Sequence, residues 1–383
     1  MILLNRRKYI HKRRPQGAPA DLADAVVTLA SETVYYTGNP VYPSVSVTYE
    51  GVALIVNTDY TLNYSDNTNI GAATVTVTGM GEYTGSVVKT FQIVAAGEAS
   101  WANFDLSNLG VNSHVASAKL YDSTATYARN YSIDAYSIQL LADGRLVFGG
   151  QAQGHEYIWG FEDGHPFEVE YFKSTYDSKS SVIDYNGSFI MSPDGLAGVV
   201  SFFGYPNLMK VVFSTAFDLS TMSVADTVAM SAGWAENMAF SSDGTKFFNK
   251  KSGEATLWCR HLNTPYVVDS FSSDENTSVD LNSAAGLGSG EGLTWRGFCF
   301  SPDGRFMVAT SGSGAGKIHK FALSTPWDIT TMNRVSYATV FENDGHYLES
   351  VIVNAQGTKM IVCDGRNRGH YGERTFYEYN LTA

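Results

Sequence analysis

The chain has 383 residues, enough for two or three ordinary domains with real cores. It is 44% hydrophobic and only 17% charged, with 36 Gly, 23 Tyr and 21 Phe. Disorder over most of the length is excluded, because disordered chains lack aromatics and are rich in charge, and collagen is excluded because glycine has no period of three. The net charge of -12 hides an asymmetry. Residues 1–20 hold Arg6, Arg7, Lys8, Lys12, Arg13 and Arg14 and no acid, so the remainder carries 20 basic against 38 acidic residues, a net of -18. So acidic a body disfavours nucleic acid and anionic membrane, whereas the arm favours an acidic surface.

Tyr, Thr, Ser, Val and Gly in this abundance predict an all-β protein, since β-branched and aromatic residues line strands and Gly serves turns. Residues 1–22 read as a basic extended arm, ending in Pro15-Gln16-Gly17-Ala18-Pro19-Ala20, which resists both helix and strand. The order of a secretory signal is missing, because Met1-Ile2-Leu3-Leu4 precedes the charges and no apolar stretch follows them. No run is long enough to span a bilayer, so no membrane insertion is expected. Cys259, Cys299 and Cys363 are far apart among apolar neighbours and read as buried free thiols in a reducing compartment.

Residues 23–96 form a first β domain. Period-two stretches occur at Ser44–Tyr49, Tyr60–Tyr64, Thr74–Thr78 and Lys89–Ile93, separated by the turn residues Glu50-Gly51, Asp66–Asn69 and Gly79-Met80-Gly81. Short strands at this spacing predict a small sandwich. The run Tyr36-Thr37-Gly38, Pro43-Ser44-Val45, Thr58–Tyr64, Asn69–Val75 and Gly79–Gly85 resembles an immunoglobulin-like module of bacterial surface and phage virion proteins. The resemblance covers about a sixth of the chain and implies a spacer or adhesion module. With no Cys and no Trp in it, no inter-sheet disulfide is expected.

Residues 97–383 contain an internal repeat. A strand–turn–strand unit recurs around Asp143-Gly144, Asp194-Gly195, Asp243-Gly244, Asp303-Gly304 and Gln356-Gly357, at intervals of 51, 49, 60 and 53 residues between glycines. Asp-Gly between apolar runs makes a tight hairpin, and sheets of about 50 residues must pack face to face around an axis to bury both faces. The units resemble a β-propeller whose blades carry F-S-P-D-G turns. Five blades are expected, with a sixth, degenerate blade as the alternative. Ala102–Ser107 reads as a blade's third strand, belonging to that sixth blade or closing the ring with the last repeat.

Chemistry is sparse. Gly312-Ser313-Gly314-Ala315-Gly316-Lys317 lacks the Ser or Thr of a phosphate loop and precedes a strand, so a blade loop outweighs phosphate binding. His155-Glu156 with Asp163-Gly164-His165 is the densest set of candidate ligands, without the spacing of a metal centre. Asp274-Glu275 and Asp280 form a solvated acidic loop, with Ca²⁺ the lesser reading. There is no G-x-S-x-G elbow, and Asp143, Asp194, Asp243 and Asp303 are explained by turn geometry. No catalytic residue, metal or cofactor is expected, and the chain is read as a non-enzyme. Carboxylates assembled from different blades remain the signature that an enzyme of this class would show.

Two segments are candidates for contacts. Arg366, Arg368, His370, Tyr371 and Arg374 combine basic and aromatic side chains in the last loop of an acidic body. In the arm, Tyr9 and Ile10 add an apolar anchor to Arg6, Arg7, Lys8, Lys12, Arg13 and Arg14, a composition suited to docking on an acidic surface. Together these features resemble a bacteriophage virion accessory protein. The resemblance implies assembly in the host cytoplasm, docking to capsid or tail proteins through the arm, display of the β domains, host-glycan adhesion and homo-oligomers. A bacterial cell-surface adhesin is the alternative, and a polysaccharide-degrading propeller the third reading. Nucleic acid is not an expected partner.

Overall fold

The structure, a computed structural model, describes residues 19–29, 32–35, 40–43, 45–94, 98–118, 137–141, 145–150, 155–159, 161, 167–171, 177–180, 186–202, 207–229, 235–251, 254–271, 276–287, 293–311, 316–341, 346–365 and 374–381. It is all-β, with two short α-helices among these residues, Glu98–Asn103 and Leu281–Ala284. No helix is long and apolar enough to cross a membrane. The chain divides into two compact units, Met1–Glu32 with Pro43–Asn67 and Ala72–Gln92, and Thr33–Tyr42 with Thr68–Gly71 and Ile93–Ala383.

In the first unit Val26–Leu29 pairs antiparallel with Val45–Tyr49, which turns at Glu50 and Gly51 into Val52–Ala53. Both turn residues take positive φ, 51° and 80°, as a two-residue hairpin loop requires. A second sheet pairs Tyr60–Ser65 with Gly71–Gly79, next to Ser86–Val94. Ala73, Val75 and Val77 are buried while the threonines between them are not, so the period-two pattern sets which face is covered. Val27 and Val47 from one sheet meet Tyr60 and Val77 from the other, with Leu22 and Leu54 completing the core. Residues at the end of the expected arm join this unit. Ala20–Asp21 pairs parallel with Tyr83–Thr84, and Leu22 is fully buried.

The second unit holds five four-stranded antiparallel sheets. Blade one comprises Ile138–Leu140, Leu146–Gly150, His155–Trp159 and Asp177–Ser180, and blade two Asn186–Met191, Ala197–Phe202, Asn207–Phe213 and Met222–Ala229. Blade three runs through Ala235–Phe240, Lys246–Lys251, Thr256–His261 and Thr277–Asp280. Blade four runs through Trp295–Phe300, Phe306–Ser311, Lys317–Leu323 and Met332–Thr339. Blade five has Leu348–Val353, Lys359–Gly365 and Arg374–Asn380, with Ala116–Ala118 as its outermost strand. Each inner strand neighbours the inner strand of the next blade, and blade five returns to blade one. The ring is a β-propeller of five blades among the described residues.

The turn between the first two strands of a blade is built from the repeat itself. In blade four the Ser301 hydroxyl donates to Asp303 Oδ1 at 2.5 Å and accepts from the Phe306 amide at 2.9 Å, while the Gly304 amide donates to the Ser301 carbonyl. Gly304 has φ +70°, and a Cβ there would land inside the Trp327 ring. Tyr266 covers Gly244 and Phe217 covers Gly195 in the same way, and all three aromatics also take positive φ. A left-handed bulky residue is strained, and stacking on a turn that lacks a side chain offsets the cost. In blade five Asn354 Oδ1 replaces both partners, accepting from the amides of Thr358 and Lys359.

After each aromatic comes a one-turn 3₁₀ segment that plugs an apolar side chain against the preceding blade. Val169, Leu219, Val268 and Ile329 fill this slot in blades one to four, all essentially without exposure. Leu106 fills it for blade five. The expected third strand at Ala102–Ser107 is therefore corrected: it is a helix end followed by Leu106–Asn108, with Asp105 accepting from the Ser107 amide at 2.8 Å. A carboxylate two residues before an amide favours a cap over a strand. With Ala116–Ala118 it completes blade five, so the last repeat closes the ring, and the described residues form five blades.

Lys320 of blade four holds this closing segment. Only 2% exposed, it donates to the Phe104 carbonyl at 2.6 Å and lies 4.0 Å over the Phe104 ring. The Trp101 indole donates to the Asn354 carbonyl at 3.1 Å, and the Leu106 amide to Ser336 Oγ at 3.2 Å. Burial lowers the Lys320 ammonium to about 8, against the pull of Asp105. Between there and its ordinary 10.5 the unfolded chain binds the extra proton, so stability rises with pH through that window. Denaturant melts from pH 8 to 10.5 should show the rise, up to about tenfold in the folding constant per pH unit, and Lys320→Met should abolish it. Gly304→Ala should cost on the order of 2 kcal/mol in the same melts, through both φ and the Trp327 ring.

Candidate functional site

The arm residues Arg6, Arg7, Lys8, Tyr9, Ile10, Lys12, Arg13 and Arg14 lie outside the described residues, as do Arg366, Arg368, His370 and Tyr371. Arg374 opens the third strand of blade five, its backbone paired with Gly365. Gly365 and Arg374 lie on the face where the inner strands begin. The opposite face carries the Ser-Asp-Gly turns.

Where the inner strands begin, four of the five bulge at one register. The irregularities fall between Asn186 and Phe189, Ala235 and Asn237, Trp295 and Phe298, and Leu348 and Ser350. A bulge places two residues opposite one and re-aims a side chain. Five residues before the first turn residue of each repeat stand Gly187, Glu236, Arg296 and Glu349. Arg296 is 8% exposed, Glu349 5% and the adjoining Asn237 1%. Charged side chains are almost never this buried without partners, and these hold interactions within the protein.

Hydroxyl groups of the second strands clamp the bulges. Ser201 Oγ accepts from the Ser188 amide at 2.9 Å and donates to Ala235 O of the next blade at 2.7 Å. Thr310 Oγ1 repeats this, accepting from the Gly297 amide at 2.9 Å and donating to Leu348 O at 2.9 Å. The corresponding residue of blade three is Lys250, fully buried, and that of blade five is Cys363. Gly297 lets blades four and five approach closely, since a Cβ there would sit 2.8 Å from Glu349 O.

Two buried histidines lie behind this rim. His346 Nδ1 is 2.6 Å from Asp364 Oδ2, whose other oxygen accepts from the Tyr347 amide at 2.9 Å, and the imidazole stacks on Phe341 at 4.0 Å. Asp364 pairs with Leu348, next to Glu349. In blade four Ser311 takes the position of Asp364, and its hydroxyl is 2.7 Å from His319 Nε2. Trp295 and Tyr337 flank His319, and burial depresses its pKa to about 3, aided by Arg334 and Lys317. It is a neutral packing residue with a hydroxyl partner.

Other candidates resolve into structural roles. All three cysteines are free and buried, and burial pushes Cys259 to about 11 and Cys299 to about 12, far from thiolate chemistry. Asp194, Asp243 and Asp303 are held by their turns. Asp280 caps the helix Leu281–Ala284, accepting from the Ser283 amide at 2.8 Å, while Asp274 and Glu275 lie outside the described residues. Lys317 begins a strand, as read from the glycine loop before it. His155 and Glu156 lie in a strand of blade one, and Asp163, Gly164 and His165 are outside the described residues. No group of three metal-ligating side chains occurs among the described residues.

Inspection of single motifs missed the rim residues. The signal was a charge at a fixed offset from the turn inside otherwise apolar strands, visible only once the repeats are aligned.

No family model and no curated protein matches the sequence. Among solved structures, the chain is similar to a functionally unknown protein from Desulfotomaculum acetoxidans at 13% identity and a TM-score of 0.37, over 73% of this chain and 80% of that one. It is similar to the β-propeller domain of Swd1 from Myceliophteria thermophila at 9% and 0.39, over 73% and 97%. A Bacteroides fragilis protein provisionally named as a 6-phosphogluconolactonase is similar at 12% and 0.35, over 94% and 96%. At this distance the likenesses carry no functional argument, and the propeller rests on its own strand pairing.

His319 makes a prediction about acid. Its folded pKa of about 3 lies below its ordinary 6.5, so the unfolded chain binds the extra proton between the two. Stability should fall as pH drops from 6.5 towards 3, and His319→Gln should flatten that part of the profile in equilibrium melts.

Proposed function

We propose that the chain is a non-enzymatic bacteriophage virion protein that docks on capsid or tail proteins through its basic arm and presents an immunoglobulin-like domain and a propeller outward. The observation that carries this reading is the charge asymmetry. Six basic residues without an acid stand in residues 1–20, and the rest of the chain carries -18. Such an arm is steered to an acidic surface that the body itself avoids. Two structural facts support it. The first unit has two sheets around a small core, as an immunoglobulin-like spacer needs. The propeller is closed by residues from 98 onward, so the sequence before them is not required for closure.

In this reading the propeller is the displayed end and contacts the host surface through glycans. The proposed contact segment is the one bearing Arg366, Arg368, His370, Tyr371 and Arg374, whose flanking residues Gly365 and Arg374 pair at the face where the inner strands begin.

A propeller acting on polysaccharide is the second reading, favoured by one observation: Glu349 and Asp364 are carboxylates buried at the rim, with Glu236 at the matching register of blade three. The bacterial adhesin differs from the first reading in its carrier rather than its binding end.

Co-sedimentation with the phage particle separates these. The full chain should pellet, a chain lacking residues 1–20 should not, and high salt should release the full chain. If both forms stay in solution yet bind host cells, the adhesin reading replaces the virion one. Release of reducing sugar from host polysaccharide, lost in Glu349→Gln, would establish the enzyme.

A further inference from the structure

The arm carries six basic residues, and the unit it joins carries the matching charge. From residue 19 to residue 94 there are seven acidic residues against one basic residue, Lys89, a net of -6. A segment steered to acidic surfaces meets this one first.

Four of the carboxylates gather at one end of the unit. The Ala20 amide donates to the Glu82 carbonyl at 3.0 Å, which sets Asp21 beside the turn at residues 80–82. The Met80 amide donates to the Asp59 carbonyl at 2.9 Å, and Asp59 Oδ2 accepts from the Ile55 amide at 2.8 Å. Tyr49 and Tyr83 meet edge to face at 5.8 Å, bringing the turn at Glu50 and Gly51 to the same end. Asp21, Glu50 and Glu82 are exposed, and Asp59 is half-buried. Among them stand Val52, Ile55 and Met80, which are 58%, 49% and 38% exposed. Apolar side chains left open between carboxylates suit a partner that is both basic and apolar.

The arm has that composition. Arg6, Arg7 and Lys8 precede Tyr9 and Ile10, and Lys12, Arg13 and Arg14 follow them. Lys and Arg lay their methylene stems on apolar surface while their heads reach carboxylates. Position favours the chain's own arm over that of another copy. Arg14 is six residues before Ala20, a reach of up to about 20 Å, and a segment tethered so closely is present at a millimolar effective concentration. A second copy, or any outside surface, has to exceed that concentration or bind more tightly.

We infer that residues 6–14 dock on their own first unit, at the end bearing Glu50, Glu82 and Met80, and so mask the arm until a stronger acidic surface displaces it. The masking role rests on the reading of the arm as an anchor, whereas the contact itself stands without a particle.

The test is zero-length carbodiimide coupling of the full chain, which joins a lysine amine to a carboxylate only where the two touch. Lys8 or Lys12 should couple to Asp21, Glu50, Asp59 or Glu82 within one chain, and about 1 M salt should remove the product. In an equal mixture of isotopically light and heavy chains, the link should never join a light copy to a heavy one. A synthetic peptide of residues 1–18 supplies the second measurement. It should bind saturably to a chain lacking those residues, and about tenfold more weakly or worse to the full chain, whose own arm occupies the surface. Glu50→Gln together with Glu82→Gln should weaken peptide binding about threefold or more, the loss expected for two exposed ion pairs. Both positions are exposed, and unchanged thermal melts certify the variant. Absence of any link, links to residues elsewhere, links between copies, equal peptide binding by the two chains, or no loss in the folded double variant would overturn the inference. No particle enters either measurement, so a failed anchor and a failed self-contact give different patterns.

Discussion

Blade five is made from two stretches of chain more than 200 residues apart in sequence, and the ammonium of Lys320 from blade four holds the first of them in place. It gives up most of its water to hold the Phe104 carbonyl and ring, a position that costs it basicity. The seam on the other side uses full charges: Lys359 bridges Glu168 at 2.8 Å and Glu378 at 3.1 Å, and Glu378 also accepts from the Val169 amide. A ring of sheets has no edge only if its last joint holds, because an open ring leaves two sheet faces exposed. Everything else in the propeller presupposes these two contacts.

The remaining blades hold together by a cheaper device. An aromatic in a left-handed conformation, strained alone, lies across a glycine that takes the left-handed conformation without penalty. Together they lock the bottom of the blade, and the 3₁₀ turn that follows delivers its apolar residue to the neighbouring sheet. Lys246 extends the pattern by donating to the Trp327 carbonyl at 3.1 Å, and Arg145 does so by lying 4.9 Å over Phe217. This face is built for cohesion.

Much of the fold was legible in the chain. Asp-Gly turns at near-regular intervals announce blades because the turn demands a glycine that nothing else there would tolerate. Alternating Val and Thr in Gly71–Gly79 reads as a half-covered strand for the same local reason. What escaped was non-local. Ala102–Ser107 resembles the third-strand region of a repeat because it is the sequel of one, displaced to the other end of the chain, and only the pairing of Ala116–Ala118, just after it, with Arg374–Asn380 reveals its place. The rim residues escaped because each is a single charge in a single strand, and their meaning comes from sharing a register across blades. The basic arm and the last loop were readable as composition alone, which speaks to charge but not to contact.

The hydroxyl clamps have a consequence for how such a molecule changes over generations. Ser201 and Thr310 each serve a bulge in their own blade and a carbonyl in the next, so a blade is not a self-sufficient module. Copying one blade and inserting it elsewhere brings half of each clamp to a neighbour that was never matched to it. Gene duplication would thus be accepted most readily in units spanning a seam, and drift on one side of a seam would be answered on the other.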